Sequence, residues 1–190
     1  MRMIIPIEVS RRHAHLSLND LAMLFGQNYQ LTNVKNLSQP GEFACEEKIL
    51  LEVNGKKLTA RIVGPARAQT QIEICASDAA TLAVNPPRRL SGDLKNSAGI
   101  KIIGPKGSVY LNNGLILAQR HVHLDGKTAR DFKLKNGQTV AVKVLNQTDY
   151  IFNQVAVRVN DNFKPAMHID ADEAKAAGIG QSGRGEILQK

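Results

Sequence analysis

Arg12-His13-Ala14-His15-Leu16 recurs in the second half of the chain as Arg120-His121-Val122-His123-Leu124. In a β-strand, residues i and i+2 face the same side, so each His-x-His sets two imidazoles next to each other. A lone His-x-His on a strand is more often an exposed or hydrogen-bonded pair than a metal site. Two pairs, each preceded by Arg and followed by Leu, are harder to dismiss, and with His168 they account for all five histidines. A short helical stretch follows each pair, Ser17–Ala22 in one case and Asp125–Ala129 in the other. A fainter echo aligns Ile72-Glu73-Ile74-Cys75-Ala76-Ser77-Asp78-Ala79 with Met167-His168-Ile169-Asp170-Ala171-Asp172-Glu173-Ala174, which sets Glu73 opposite His168. Together the echoes predict two related lobes, each bringing a His-x-His pair and one later ligand-type residue. Two copies make a duplicated domain rather than a solenoid.

Around these motifs the chain reads as many short strands. Ile4–Val9, Lys48–Val53, Leu58–Val63, Gln71–Cys75, Ile100–Ile103, Ser108–Leu111, Thr139–Val144 and Val155–Val159 are rich in Val, Ile and Thr and bounded by Gly, Pro and Asn. Asn54-Gly55 between two apolar runs signals a hairpin. Short helices are expected at Ser17–Phe25, Ser77–Val84, Gly126–Phe132 and Asp172–Ala177. In the first, Ser17 is placed to cap, Asp20 occupies the capping-box position, and Leu21, Leu24 and Phe25 share a face. The fold class expected is mainly β: two β-barrel lobes capped by short α-helices and related by internal duplication.

With 190 residues, 43% of them apolar, the chain can bury a real core as one compact unit or two small lobes. Aromatics make up 4% and Trp is absent, so little favours stacking on bases. The net charge of +8 attracts polyanions. The basic residues are scattered in pairs such as Arg11-Arg12, Lys56-Lys57 and Arg88-Arg89, which argues against a nucleic-acid partner. No run approaches the roughly 18–20 apolar residues of a membrane span, and the first residues lack the pattern of a cleaved export signal. Cys45 and Cys75 are too few for a disulfide framework and read as reduced thiols of a cytoplasmic protein.

Catalytic zinc takes three protein ligands and keeps one position open. His13, His15 and Glu73 make one such set and His121, His123 and His168 the other, and both suit zinc or a related divalent ion. Arg67, in the turn Gly64-Pro65-Ala66-Arg67 just upstream of Glu73, is expected to serve catalysis, because a planar guanidinium binds two oxygens of a phosphate or a developing oxyanion.

The chain resembles the phosphate propanoyltransferase family, the phosphotransacylases of propanediol-utilising bacterial microcompartments. The resemblance runs through Val9–Ser17, Leu37–Ala44, Gly64–Arg67, Thr70–Glu73, Ser91–Leu94, Arg120–His123 and Met167–Ala174. It implies reversible conversion of a short-chain acyl-CoA, propanoyl- or acetyl-CoA, plus phosphate to acyl phosphate plus CoA. It also implies two zinc ions on the two sets above, with Arg67 matching the family's catalytic arginine. The family fold places residues 12–118 in one barrel lobe and residues 1–11 with 119–190 in the other. CoA contacts fall on Ser10, Lys35, Arg61, Val63 and His168. The family's Asp-Glu-Ala-Asn-Ala reads Asp172-Glu173-Ala174-Lys175-Ala176 here, so Lys175 replaces a CoA-binding Asn and can meet a CoA phosphate instead.

Encapsulated members often carry an amphipathic N-terminal extension. This chain begins directly at Ile4-Ile5-Pro6-Ile7, so a cytoplasmic role is expected as readily as an encapsulated one. The expected partners are the small-molecule substrates, with homo-oligomerisation left open. The expected chemistry is direct attack of metal-bound phosphate on the thioester. Two alternatives stand beside it: a dinuclear metallohydrolase, and a zinc-stabilised binding module without catalysis.

Overall fold

The computed structural model describes residues 2–146 and 149–188. In chain order its elements begin with β1 (Met3–Ser10), β2 (His13–His15), α1 (Leu18–Phe25), β3 (Asn33–Asn36), β4 (Phe43–Val53), β5 (Lys56–Gly64) and β6 (Gln71–Ile74). They continue with α2 (Ala76–Leu82), β7 (Arg88–Arg89), β8 (Ala98–Ile103), β9 (Ser108–Ala118), β10 (His121–Leu124) and α3 (Gly126–Asp131). The last are β11 (Thr139–Val144), β12 (Ile151–Val159), β13 (Ala166–Asp170), α4 (Ala171–Ala176) and β14 (Ser182–Leu188).

These elements form two compact units. The terminal unit comprises Met1–Ser10, Ser38–Pro40 and Gln119–Lys190; the central unit comprises Arg11–Leu37 and Gly41–Ala118. In the terminal unit β1-β13-β10-β12-β11-β14 close into a barrel, because β1 pairs parallel with β13 and antiparallel with β14. In the central unit the path β4-β5-β2-β6-β9 closes through β8, which pairs with both β9 and β4. β3 and β7 extend that sheet beyond the ring.

The duplication is visible in the pairing. β2 lies between parallel β5 and antiparallel β6, and β10 lies between parallel β12 and antiparallel β13. His13 is the Cα partner of Glu73, and His121 that of His168. Each of these four strands, β2, β6, β10 and β13, leads into a short helix, α1 and α2 in the central unit and α3 and α4 in the terminal unit.

Alternation along the strands explains why the histidines share a face. Ala14 and Leu16 are fully buried in the central core with Ile62 and Ile72; Val122 and Leu124 are fully buried in the terminal core with Met167. Burying each large apolar side chain contributes roughly 1.5–3 kcal/mol. A one-residue slip would drive the imidazoles into these cores and expel the aliphatic groups, so the apolar neighbours hold the register of the histidines. At the hairpin between β4 and β5, Asn54 and Gly55 take φ of 50° and 79°, the left-handed pair of a type I′ turn.

Several elements differ from the sequence reading. β4 and β12 begin earlier than expected, and β9 runs on to Ala118. β3 is exposed along its whole length, and β14 opens with Ser182-Gly183-Arg184-Gly185, so neither carries the aliphatic run that marks a strand. Ser17 caps α1 by accepting from the Asp20 N–H, as expected. Asp20, however, does not reach back to the Ser17 N–H, which donates to Thr70 Oγ1; its carboxylate accepts from the Ser17 and Thr70 hydroxyls instead. Asp is one methylene shorter than Glu. Where Glu stands at this position, in α4, the box is reciprocal between Asp170 and Glu173. Among the described residues no helix is long and apolar enough to cross a membrane.

Candidate metal centres

In the central unit, the ligand atoms of His13, His15 and Glu73 all lie within 4.8 Å of one another. His13 Nε2 is 3.8 Å from Glu73 Oε1, and the two imidazoles meet edge to face with centroids 5.0 Å apart. Hydrogen-bond partners orient each of these side chains. His13 Nδ1 contacts Arg11 O at 2.8 Å, His15 Nδ1 contacts Val63 O at 3.1 Å, and Gln71 Nε2 donates to Glu73 Oε1. Only an N–H can face a carbonyl, so both rings carry the proton on Nδ1 and the lone pair on Nε2. Burial lowers the pKa of His15 to about 2, helped by the positive fields of His13 and Arg67 and opposed by the bond to Val63. The ring is therefore neutral at physiological pH, the form that binds metal.

In the terminal unit, the ring centroids of His121, His123 and His168 are 4.6, 5.3 and 4.9 Å apart pairwise. This set is looser, since among the described residues only the central triad brings its ligand atoms within 4.8 Å. His121 Nδ1 contacts Gln119 O at 2.9 Å, the same two-residue backward reach that His13 makes to Arg11. His123 is buried against Phe163, with centroids 4.1 Å apart, and neither of its ring nitrogens has a hydrogen-bond partner among the described residues. Burial, with the fields of His121, His168 and Arg158, lowers its pKa to about 2. A buried neutral imidazole with both nitrogens unsatisfied is costly. A divalent cation would satisfy one of them, so the donor sets of both triads fit zinc.

The arginine ahead of each His-x-His is a brace. Arg12 donates from Nε to Thr59 O and from Nη1 to Asp78; Arg120 donates to Asn153 O and, at 2.9 Å, to Glu173 Oε1. Asp78 and Glu173 occupy matching positions in the fainter repeat. Each arginine thus ties the His-x-His strand to its parallel neighbour and to the helix after Glu73 or His168.

Arg67 leaves its turn with Nη2 on Glu42 Oε1 at 2.8 Å and Nη1 on Ser91 Oγ at 3.1 Å. Ser91 also accepts from Gln71 Nε2, the amide that holds Glu73, so Arg67 is linked to the central triad through two side chains. Glu42, Ser91 and Gln71 had no role assigned from sequence, although all three lie in stretches that carry the resemblance. Their function depends on non-local contact.

Among the residues expected at CoA, Arg61 is the Cα partner of His13 and of Lys48, and Lys35 and Val63 both pair with Ala44. Lys35, Arg61 and Val63 therefore fall on one face of the central sheet, the face of His13. Ser10 and Lys175 belong to the terminal unit, Ser10 at the end of β1 and Lys175 exposed on α4.

A family model described as phosphate propanoyltransferase matches residues 6–180. A phosphate propanoyltransferase of Clostridioides difficile is 41% identical over 187 residues, covering 98% of this chain and 90% of that protein. One of Lachnoclostridium phytofermentans is 44% identical over 179 residues, covering 92% and 83%, and one of Thermotoga maritima is 43% identical over 175 residues, covering 91% and 83%.

Proposed function

The chain belongs to the phosphate propanoyltransferase family of phosphate acyltransferases, and on that premise we propose that it exchanges propanoyl- or acetyl-CoA plus phosphate for acyl phosphate plus CoA, using two zinc ions. The observation that supports the metal requirement is the pair of triads at matching positions of the repeat, each braced by its own arginine and each holding a buried neutral imidazole. When bound, the ions supply the positive charge that draws phosphate and polarises the thioester carbonyl. His13, His15 and Glu73 would hold one ion, and His121, His123 and His168 the other.

The remaining chemistry falls to the protein's own side chains. Arg67, aimed by Glu42 and Ser91, stabilises the oxyanion that develops on the thioester carbonyl. Arg61 and Lys35, on the His13 face of the central unit, attract the phosphates of CoA, and Val63 lies on the same face. Burial raises the pKa of both thiols, that of Cys45 to about 11, so neither is primed as a nucleophile. This favours direct transfer: a phosphate oxygen bonds to the acyl carbon, the carbon–sulfur bond breaks, and CoA leaves as the thiolate.

A steady-state assay with acetyl-, propanoyl- and butanoyl-CoA, with and without phosphate, tests this reading. Phosphate-dependent release of CoA with matching acyl phosphate is expected. Thioester loss at the same rate without phosphate would identify a dinuclear hydrolase. Metal uptake without turnover would identify a binding module.

A further inference from the structure

His168 differs from the other histidines in what stands behind it. The Nδ1 atoms of His13, His15 and His121 contact main-chain carbonyls, whereas His168 Nδ1 lies 3.8 Å from a carboxylate oxygen, Glu8 Oε2. The two residues are Cα partners in the parallel pairing of β1 with β13. The same Oε2 accepts a hydrogen bond of 2.5 Å from Ser38 Oγ. Ser38 belongs to Ser38–Pro40, a stretch that lies in sequence between the two segments of the central unit but packs with the terminal one. Gln39 anchors it there: its buried side chain donates to Lys164 O at 3.0 Å and accepts from Lys164 N at 3.2 Å.

We infer that Glu8 is a positioning residue for the terminal metal centre: its carboxylate, aimed by Ser38, faces His168 Nδ1 at ion-pair distance and by its charge favours the proton on that nitrogen, leaving Nε2 to bind metal. A negative charge behind an imidazole raises its basicity as a ligand, and outer partners of this kind typically change metal affinity 10–100-fold. The arrangement also gives the Leu37-Ser38-Gln39-Pro40 segment a task. It carries the hydroxyl that sets the direction of the carboxylate, and the two bonds of Gln39 hold that hydroxyl in place.

This inference rests on the reading that His121, His123 and His168 bind a metal, and the test separates the two. The full-length chain is stripped, reloaded with Co2+, and titrated against a chromophoric chelator, with the Co2+ absorption spectrum and the metal-free melting temperature recorded in parallel. The wild type should bind two equivalents, and His121→Ala should abolish tight binding of one. Glu8→Ala should weaken that same equivalent by about 10–100-fold and leave the other unchanged. Glu8→Gln, which keeps an acceptor but loses the charge, should fall between the two, and Ser38→Ala should weaken the same equivalent a few-fold. Should Glu8→Ala fold poorly, Glu8→Gln decides, with its spectral change confined to one ion. Wild-type affinity at both sites in folded Glu8 variants, or a lowered melting temperature alone, overturns the inference while leaving the metal reading intact. Equal metal uptake by the wild type and His121→Ala overturns both.

Discussion

Arg67 is part-buried, and Glu42 and Ser91 aim it, with one guanidinium nitrogen on each. Neither contact is a core contact, so Arg67→Ala should leave the fold and metal content intact. Turnover should fall at least ~10²-fold if the side chain meets the developing oxyanion. Kinetics alongside metal analysis check this, and near-normal turnover in the folded variant removes Arg67 from catalysis. His15 and His123 carry a second consequence at this scale. Their folded pKa values of about 2 lie below the ordinary 6.5. Below pH 6.5 the unfolded chain takes up protons that the folded, metal-free chain refuses. The stability of stripped protein is therefore fully present above pH 6.5 with respect to these groups and declines as the pH falls towards 2. Melting temperatures in chelator should be level from pH 8 to 7 and drop between pH 6 and 5. A level profile down to pH 5 would contradict the burial of these rings.

Among the elements, the two arginine braces make the repeat mechanically coherent. Arg12 joins β2 to β5 and α2, and Arg120 joins β10 to β12 and α4. Hydrogen bonds to charged groups contribute about 1.5–3 kcal/mol, and partial exposure of these side chains places them at the lower end. Arg120→Ala should lower metal-free stability by about that amount and speed loss of the terminal metal, with the central metal unaffected. Arg12→Ala should do the reverse. Denaturant melts and metal-release rates measure both effects; equal release from the two sites in either variant would show that the braces act on overall stability and not on their own triads.

Across the whole molecule, duplication produced two similar side-chain clusters whose third members differ in charge. Glu73 places a carboxylate directly in the central set, whereas the terminal set is formed by imidazoles, with the Glu8 carboxylate 3.8 Å from His168 Nδ1. An ion held by neutral ligands keeps its full double charge and is the better anchor for an anion. Zinc analysis should find about two equivalents per chain, and phosphate should bind mainly at the ion of His121, His123 and His168. His121→Ala should then abolish phosphate binding, whereas Glu73→Gln should weaken metal retention more than phosphate affinity. A phosphate-soaked crystal with the anion only at the His13, His15 and Glu73 ion would reverse this ranking.

What the amino-acid order determined by itself is local and periodic. The i, i+2 spacing put each histidine pair on one strand face, the buried residues between and after them set the register, Asn54-Gly55 specified a tight hairpin, and Ser17 specified a helix start. The repeat then made it readable that Glu73 and His168 stand beside the first histidine of each pair, because duplicated strands inherit the same pairing. Contacts between distant segments were decided by tertiary structure alone. No spacing announces that Asp78 and Glu173 receive the repeated arginines, that Glu42 and Ser91 aim Arg67, or that Ser38 meets Glu8 behind His168. β3 and β14 stayed hidden for a related reason: their polar or glycine-rich residues are held as strands by neighbouring strands offering hydrogen bonds, not by any preference of their own. Local sterics are encoded residue by residue, whereas a side chain's partner across the fold exists only once the barrels have closed and brought both to the same face.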